Sequence, residues 1–149
     1  MTATALSTVF GIGYARFAPG TVASAVALPF AWLISWKLGE TALCVASLAV
    51  YVIGVWSCGL YAAATGRSDP SECVIDEVAG HWFACAVAPL SLTAFAIAFV
   101  LFRFFDITKL WPVSLGERLP GGLGIMTDDM IAGALSAVII AGLRLQGLI

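Results

Sequence analysis

Charged residues are scarce in this chain, and their scarcity excludes an ordinary soluble domain. Asp, Glu, Lys and Arg make up 11% of the 149 residues and apolar residues 61%, whereas a soluble domain carries about 25% charge. Three stretches without charge, 17–36, 41–66 and 78–102, each reach the roughly 20 residues that cross a bilayer core. The composition therefore predicts an integral membrane protein.

Three further absences narrow the class of protein. The formal net charge is only −2, which argues for neither a nucleic-acid partner nor a polybasic lipid anchor. No Lys or Arg precedes Arg16, so we expect no cleaved secretory signal. No two cysteines lie close enough in sequence to clamp zinc. We interpret all four as apolar packing residues: Cys44, Cys58, Cys73 and Cys85.

The apolar runs predict an all-α fold, an integral membrane bundle of about five helices. Neither strand-like alternation nor an internal repeat is present. The expected helices, spanning or half-spanning, cover residues 20–37, 41–65, 73–88, 91–107 and 128–146, after an amino-terminal segment that is helical or re-entrant. The last apolar run is short, but Arg144 can snorkel to the interface and extend it.

Pro89 divides the third apolar run. Proline removes a backbone donor and clashes with the preceding helical turn, so residues 88–91 predict a hairpin between two short helices. A single helix kinked at Pro89 is the alternative. We favour the hairpin because a kinked helix would invert the last helix and move Asp128 to the membrane face opposite Asp76.

Alternate threading of five helices gathers distant segments at one end of the bundle. The starts of the first, third and fifth helices share a face with the ends of the second and fourth, which brings together residues 19–21, 76–77, 103–109 and 128–129. Lys37 and Arg144 belong to the other face. Five basic residues belong to this one: Arg16, Arg67, Arg103, Lys109 and Arg118. The positive-inside rule therefore predicts that this face is cytoplasmic.

Five of the nine acidic residues fall on the same face beside apolar runs: Asp76, Glu77, Asp106, Asp128 and Asp129. A carboxylate beside hydrocarbon is costly unless a cation, a partner or water compensates it. Carboxylates without clustered His or Cys suit Mg²⁺, Mn²⁺ or Ca²⁺, and we expect Mg²⁺. The alternative is structural, since adjacent acids at a helix amino terminus can cap free backbone N–H groups. One acid of each pair can also cap while its neighbour turns to the metal.

Basic residues accompany the acids at one helix end. Arg103, Asp106 and Lys109 recur at every third residue, so they lie along one side of the helix. Two cations beside an acid suit a phosphate and its metal. An intrahelical salt bridge is the alternative reading.

Two weaker signals lie near these acids. Residues 120–124, Pro-Gly-Gly-Leu-Gly, predict a loop before Asp128 whose N–H groups can approach an anion. His81 follows Glu77 by four residues on the same helical face. We interpret His81 as a structural partner, with a role as acid or base as the alternative.

The joint pattern resembles the phosphatidylglycerophosphatase A family. The resemblance rests on Pro19-Gly20-Thr21, Ile75-Asp76-Glu77 with Gly80, Phe102-Arg103-Phe104-Phe105-Asp106 with Lys109, and Gly121-Gly122-Leu123-Gly124-Ile125-Met126 before Asp128-Asp129. It runs from about residue 10 to residue 142 in matching order, so we expect residues 1–149 to form one domain. The departures are Arg16 for a frequent proline, Ala23 for glycine and Leu110 for proline. Leu110 predicts that the preceding helix continues further.

The resemblance implies a Mg²⁺-dependent phosphoric monoester hydrolase. Such an enzyme is a multi-pass protein of the bacterial inner membrane with its active site at the cytoplasm. It converts phosphatidylglycerophosphate to phosphatidylglycerol and inorganic phosphate in phospholipid biosynthesis. We expect the five carboxylates to act in catalysis and metal binding, and Arg103, Lys109 and Thr21 to bind the substrate. The attacking group is either water or an aspartate.

Two other classes of function compete with the hydrolase. A cation or proton carrier needs acids at mid-bilayer with access from both faces, whereas these acids are expected at one end. A noncatalytic lipid-binding protein does not need five acids beside the bilayer.

Overall fold

A computed structural model describes all 149 residues of the protein. Its regular secondary structure is entirely helical, with no strands. The six α-helices are α1 (Thr2–Ser7), α2 (Pro19–Leu38), α3 (Glu40–Thr65), α4 (Ile75–Cys85), α5 (Leu92–Thr108) and α6 (Gly122–Leu145). Two short 3-10 helices, Ile12–Tyr14 and Val113–Arg118, lie between them. The all-α prediction is confirmed, and the five predicted helices correspond to α2 to α6.

Three helices, α2, α3 and α6, are long and apolar enough to cross a membrane. The 11 residues of α4 and the 17 of α5 give lengths of about 16 and 26 Å at 1.5 Å per residue. Large apolar side chains on α2 and α3 point outward, among them Phe30, Trp36, Val52 and Trp56. Exposed apolar surface of this extent is what a bilayer covers.

The connection at Pro89 is a hairpin, as predicted. Ser91 caps α5, because its hydroxyl accepts a hydrogen bond of 3.1 Å from the backbone N–H of Ala94. Near the other end of the pair, Glu77 at the start of α4 binds Arg103 towards the end of α5. The two helices are therefore antiparallel, and the kinked single helix is wrong.

The α4 helix lies at the centre of the bundle and contacts α2, α3, α5 and α6. Its crossing with α6 is backbone to backbone. A Cβ added to Gly80 would lie 2.8 Å from the carbonyl carbon of Asp129, and one added to Gly133 would lie 2.9 Å from the carbonyl carbon of Gly80. Glycine at these two positions sets the separation between the helices that carry four of the five acids.

The last helix begins earlier than the sequence predicts, at Gly122 instead of Asp128. The predicted glycine loop is wrong from this residue on, because Gly122 packs directly on the backbone of α3. A Cβ there would lie 2.8 Å from the backbone nitrogen of Gly59. Asp128 and Asp129 consequently lie two turns inside α6, and capping of a free helix end by this pair is wrong.

The α5 helix ends at Thr108 and does not continue as Leu110 predicts. Lys109 adopts the left-handed conformation, with φ of 47°. That backbone turn ends the helix and leaves the Lys109 side chain beside Asp128 of α6.

Gly133→Ala is expected to lower the free energy of unfolding by about 1–3 kcal/mol, because its methyl group meets the Gly80 backbone and forces α4 and α6 apart. Denaturant unfolding in detergent measures this loss. Gly142→Ala on the same helix is the control. Nothing lies within 4 Å of a Cβ at Gly142, so alanine there is neutral or stabilises α6 by up to about 1 kcal/mol. Equal losses in both variants would contradict the close crossing.

Candidate active site

The five carboxylates converge on one cavity, as the threading predicts. The cavity has a volume of about 210 Å³ and is lined by the start of α2, the start of α4, the end of α5 and the first turns of α6. All five predicted acids line it together with Lys109: Asp76, Glu77, Asp106, Asp128 and Asp129. We call it the acidic cavity.

Three of these carboxylates form a buried triad: Glu77, Asp106 and Asp129. One oxygen atom from each lies within 4.8 Å of the others, and the residues expose only 9%, 7% and 2% of their surface. The Oδ2 atom of Asp129 is buried without a hydrogen-bond partner. A buried oxygen of this kind is costly unless a cation approaches it. The all-oxygen donor set fits a hard divalent cation.

Arg103 binds two members of the triad. Its Nη1 atom lies 2.9 Å from Asp106, three residues further along α5, and it also donates to Glu77 of α4. The hydroxyl of Ser24 on α2 donates a second hydrogen bond, of 3.1 Å, to the same Glu77 oxygen. The intrahelical salt bridge that was the alternative reading is therefore present between Arg103 and Asp106, but Arg103 also pairs with Glu77 on the neighbouring helix.

Lys109, which directly follows α5, faces three acids of the cavity. Its ammonium donates to Asp128 and lies 3.5 Å from Asp106 and 4.0 Å from Asp129. Burial disfavours the charged form, but the hydrogen bond to Asp128 and the charges of the surrounding carboxylates outweigh it and raise the pKa of Lys109 above its ordinary value. Lys109 is therefore a fixed cation at neutral pH.

Within each adjacent pair of acids, the first residue binds the backbone of the second. Asp76 accepts a hydrogen bond of 2.9 Å from the N–H of Glu77, in the first turn of α4. Asp128 accepts a bond of the same length from the N–H of Asp129. In both pairs the second acid turns into the buried triad. Only Asp76–Glu77 does so at a helix amino terminus, as predicted, because Asp128 and Asp129 lie inside α6.

Two predicted site residues do not line the acidic cavity: Arg103, which reaches the triad through its ion pairs with Glu77 and Asp106, and Thr21. Thr21 lies in the first turn of α2, and its neighbours Pro19 and Gly20 form that part of the wall instead. A role for Thr21 in substrate binding stays a prediction.

The contacts of His81 support a structural interpretation. The ring is fully buried, and its Nδ1 lies 3.2 Å from the carbonyl oxygen of Ser24. It stacks on Phe102 with 5.6 Å between ring centroids. No hydrogen bond joins His81 to Glu77, and its contacts connect α4 to α2 and α5.

Sequence reasoning missed several residues at the cavity. Asp69, Ser71 and Cys73 line it from the loop between α3 and α4, and Ser24 binds the triad from α2. Asp69 carried a usable signal, because it is an acid in a loop predicted on the same face. Ser24 carried none, since a single serine inside an apolar helix is typical of packing.

Comparison with known proteins identifies the family to which this arrangement belongs. A family model described as phosphatidylglycerophosphatase A matches residues 5–144, which include every residue of the acidic cavity. The chain belongs to the phosphatidylglycerophosphatase A family. Membership confirms the resemblance seen in the motifs and assigns the chain to a family of enzymes.

Three bacterial relatives match this chain over most of its length. Phosphatidylglycerophosphatase A of Escherichia coli is 36% identical over 91% of the chain and 79% of the relative, and that of Haemophilus influenzae is 31% identical over 93% and 86%. A putative phosphatidylinositol-3-phosphatase of Bacteroides thetaiotaomicron is 36% identical over 93% and 91%. No solved structure matches the chain.

A divalent cation is expected to stabilise the wild-type protein by about 2.7 kcal/mol at 100 times its Kd, measured as a rise in melting temperature. Asp129→Asn is expected to lose this response. Without added cation the variant should be as stable as the wild type or more so, because it removes repulsion within the triad. Glu40→Gln is the control, since Glu40 pairs with Arg144 away from the acidic cavity and its loss leaves the response intact. An unchanged cation response in Asp129→Asn would contradict metal binding by the triad.

Proposed function

We propose that the protein hydrolyses the terminal phosphate monoester of phosphatidylglycerophosphate, releasing phosphatidylglycerol and inorganic phosphate, with Mg²⁺ as its cofactor. The observation that carries the proposal is the buried triad facing two fixed cations in a member of the phosphatidylglycerophosphatase A family. Two relatives that are named phosphatidylglycerophosphatase A support the choice of substrate. The acid cluster and its oxygen ligands support the choice of Mg²⁺.

The five acids have two roles: three would bind the metal, and two position other groups of the site. Glu77, Asp106 and Asp129 would hold the Mg²⁺ ion, because one oxygen atom from each already lies within 4.8 Å of the others. When bound, Mg²⁺ supplies positive charge that neutralises phosphate oxygens and polarises the P–O bond. Asp128 holds Lys109 in the acidic cavity, and Asp76 fixes the first turn of α4.

Arg103 and Lys109 bind the oxygens of the phosphoryl group. Both side chains are positioned before substrate arrives, by carboxylates that also belong to the cavity. Preorganised donors of this kind stabilise charge that develops in the transition state without reorganising. Arg103 is partly buried, with 14% of its side chain exposed, so little water competes for its guanidinium.

The site lies at the cytoplasmic face of the bacterial inner membrane in this proposal. The helices α2, α3 and α6 cross the bilayer, α4 and α5 form the hairpin between them, and the chain acts as one domain in phospholipid biosynthesis. The excess of basic residues at the end that carries the acidic cavity supports this orientation. A lipid phosphate at that depth would reach the cavity from the headgroup layer.

Phosphatidylinositol 3-phosphate is the second candidate substrate. The relative named as a putative phosphatidylinositol-3-phosphatase is as similar in sequence as the E. coli relative. Both candidate substrates are lipid phosphomonoesters and need the same metal and cations. The proposed substrate is favoured by the family model, which carries the name phosphatidylglycerophosphatase A.

The architecture argues against the two competing classes of function. A proton or cation carrier needs acids that continue across the bilayer, but the opposite end of the bundle holds an exposed pair, Glu40 and Arg144, with 2.8 Å between charged atoms. A noncatalytic lipid-binding protein gains nothing from a buried triad, which costs stability when no cation is bound.

Purified protein with Mg²⁺ is expected to release phosphate from phosphatidylglycerophosphate faster than from phosphatidylinositol 3-phosphate. EDTA or Asp129→Asn should lower the rate by about 10²–10³-fold, because either change removes charge stabilisation at the phosphate. Release of inorganic phosphate from mixed micelles measures both effects.

Glu40→Gln is again the matched control and should keep the full rate, since Glu40 lies away from the acidic cavity. Phosphate release that persists in EDTA would contradict the metal mechanism. Faster release from phosphatidylinositol 3-phosphate would replace the proposed substrate with the second candidate.

Arg103→Lys is expected to lower kcat by at least about tenfold, because a lysine cannot supply the planar fork that serves Glu77, Asp106 and a phosphate together. Steady-state kinetics measure the loss. Arg144→Lys at the opposite end of the bundle makes the same chemical change and should leave kcat unaltered. A normal kcat in Arg103→Lys would show that the guanidinium has no part in turnover.

A further inference from the structure

A second cavity adjoins the acidic one and is made only of hydrophobic residues. It has a volume of about 410 Å³ and lies between α2, α4 and the amino-terminal segment. We call it the apolar groove, and its walls include Phe10, Ala23, Val26, Phe30, Val78 and Trp82.

The apolar groove begins next to the triad. On α2 its first residue, Ala23, precedes Ser24, whose hydroxyl donates to Glu77 over 3.1 Å. On α4 its first residue, Val78, directly follows Glu77. The groove therefore begins one residue from Glu77 on α4 and, on α2, one residue from the serine that binds Glu77, and we call this end its mouth.

From this mouth the apolar groove descends along α2. Ala23, Val26 and Phe30 recur at helical spacing on one face, a rise of about 10 Å at 1.5 Å per residue. The helix starts at Pro19, which lines the acidic cavity. The groove thus leads from the level of the acids into the membrane-spanning part of α2, which is the path of a hydrocarbon chain whose phosphate lies in the acidic cavity.

The interior of the apolar groove has no polar group to offer. The indole N–H of Trp82 is satisfied by the carbonyl oxygen of Ala27 at 3.0 Å. A polar headgroup would lose its hydrogen bonds there, whereas an acyl chain would lose nothing. The volume lies within the range of about 300–1,000 Å³ that ligand sites occupy in proteins.

Two residues in an uncommon backbone conformation form the outer wall. Val9 and Phe10 have φ of 49° and 55°, and a β-branched residue such as Val9 rarely adopts a positive φ. Both residues line the apolar groove, and Phe10 remains 82% exposed at its lip. Strained backbone is concentrated at ligand sites, where the surrounding structure maintains it.

We propose that the apolar groove binds an acyl chain of the lipid substrate while the phosphate occupies the acidic cavity. The proposal rests on the proposed function, since it assigns the two parts of one lipid phosphomonoester to two adjoining cavities. The amino-terminal segment then forms the wall that separates the bound acyl chain from the surrounding bilayer.

Val26→Trp tests the groove by filling it. Val26 is 39% exposed, so the larger side chain enters the groove without disturbing the helix core. The ratio of kcat/KM for dipalmitoyl over dihexanoyl phosphatidylglycerophosphate should fall at least about tenfold, because the long chain loses its site. Val52→Trp, an exposed residue of α3 outside the groove, is the matched control and should leave the ratio unchanged. An unchanged ratio in Val26→Trp, or an equal fall in Val52→Trp, overturns the proposal.

Phe30→Ala provides a second variant that removes part of the wall at the deep end. Phe30 is 56% exposed, so its truncation spares the packing of the bundle. The same ratio should fall, and the activity on the dihexanoyl substrate should persist. A ratio equal to that of the wild type would count against the groove even if Val26→Trp did not fold.

Photolabelling separates this proposal from the proposed function, because it needs no turnover. Phosphatidic acid with a diazirine on its acyl chain, in phosphatidylethanolamine vesicles, should label residues 9–12 and 26–30, and Val26→Trp should abolish the label. Labelling without hydrolysis would sink the proposed function and keep the groove. Equal labelling by a diazirine phosphatidylcholine would identify an ordinary bilayer contact and overturn the groove, as would no labelling at all.

Discussion

The repulsion among three buried carboxylates is the constraint on which the rest of the structure depends. Glu77, Asp106 and Asp129 bring one oxygen each within 4.8 Å of the others, and helix packing offers little water to screen them. Arg103 and Lys109 offset part of this charge from the end of α5. Five acids against two cations leave an excess of negative charge, and a divalent cation is the partner that we propose to offset it.

Backbone packing makes this arrangement possible. The carboxylates come from three helices, and they meet only because α4 and α6 cross at Gly80 and Gly133 with nothing between the two backbones. The hairpin at Pro89 then returns α5 along α4, so that Arg103 faces Glu77. Sites on rigid helices hold charges at fixed separations, which is the requirement for electrostatic stabilisation of a transition state.

Most of what the sequence could predict followed from the order of the helices. Apolar runs and one proline were enough to bring Asp76 and Asp129 to the same end of the bundle, because the threading of helices through a bilayer leaves few choices. The predicted start of α6 was wrong, because glycine is typical both of a flexible loop and of a close helix contact. Only the neighbouring backbone of α3 decides between the two. Ser24 and the apolar groove were beyond prediction, because neither contrasts with the apolar helices around it.

The adjoining cavities suit the two ends of a phospholipid, one charged and one apolar. This pairing connects the membrane location of the chain with phosphate chemistry, because a substrate anchored by its acyl chain reaches the triad without leaving the bilayer. Cation exchange at Asp129 tests the central claim most directly. Asp129→Cys should lose phosphate release with Mg²⁺ and regain it with Cd²⁺, since thiolate prefers the softer ion. Wild-type activity with Mg²⁺ in this variant would contradict the account.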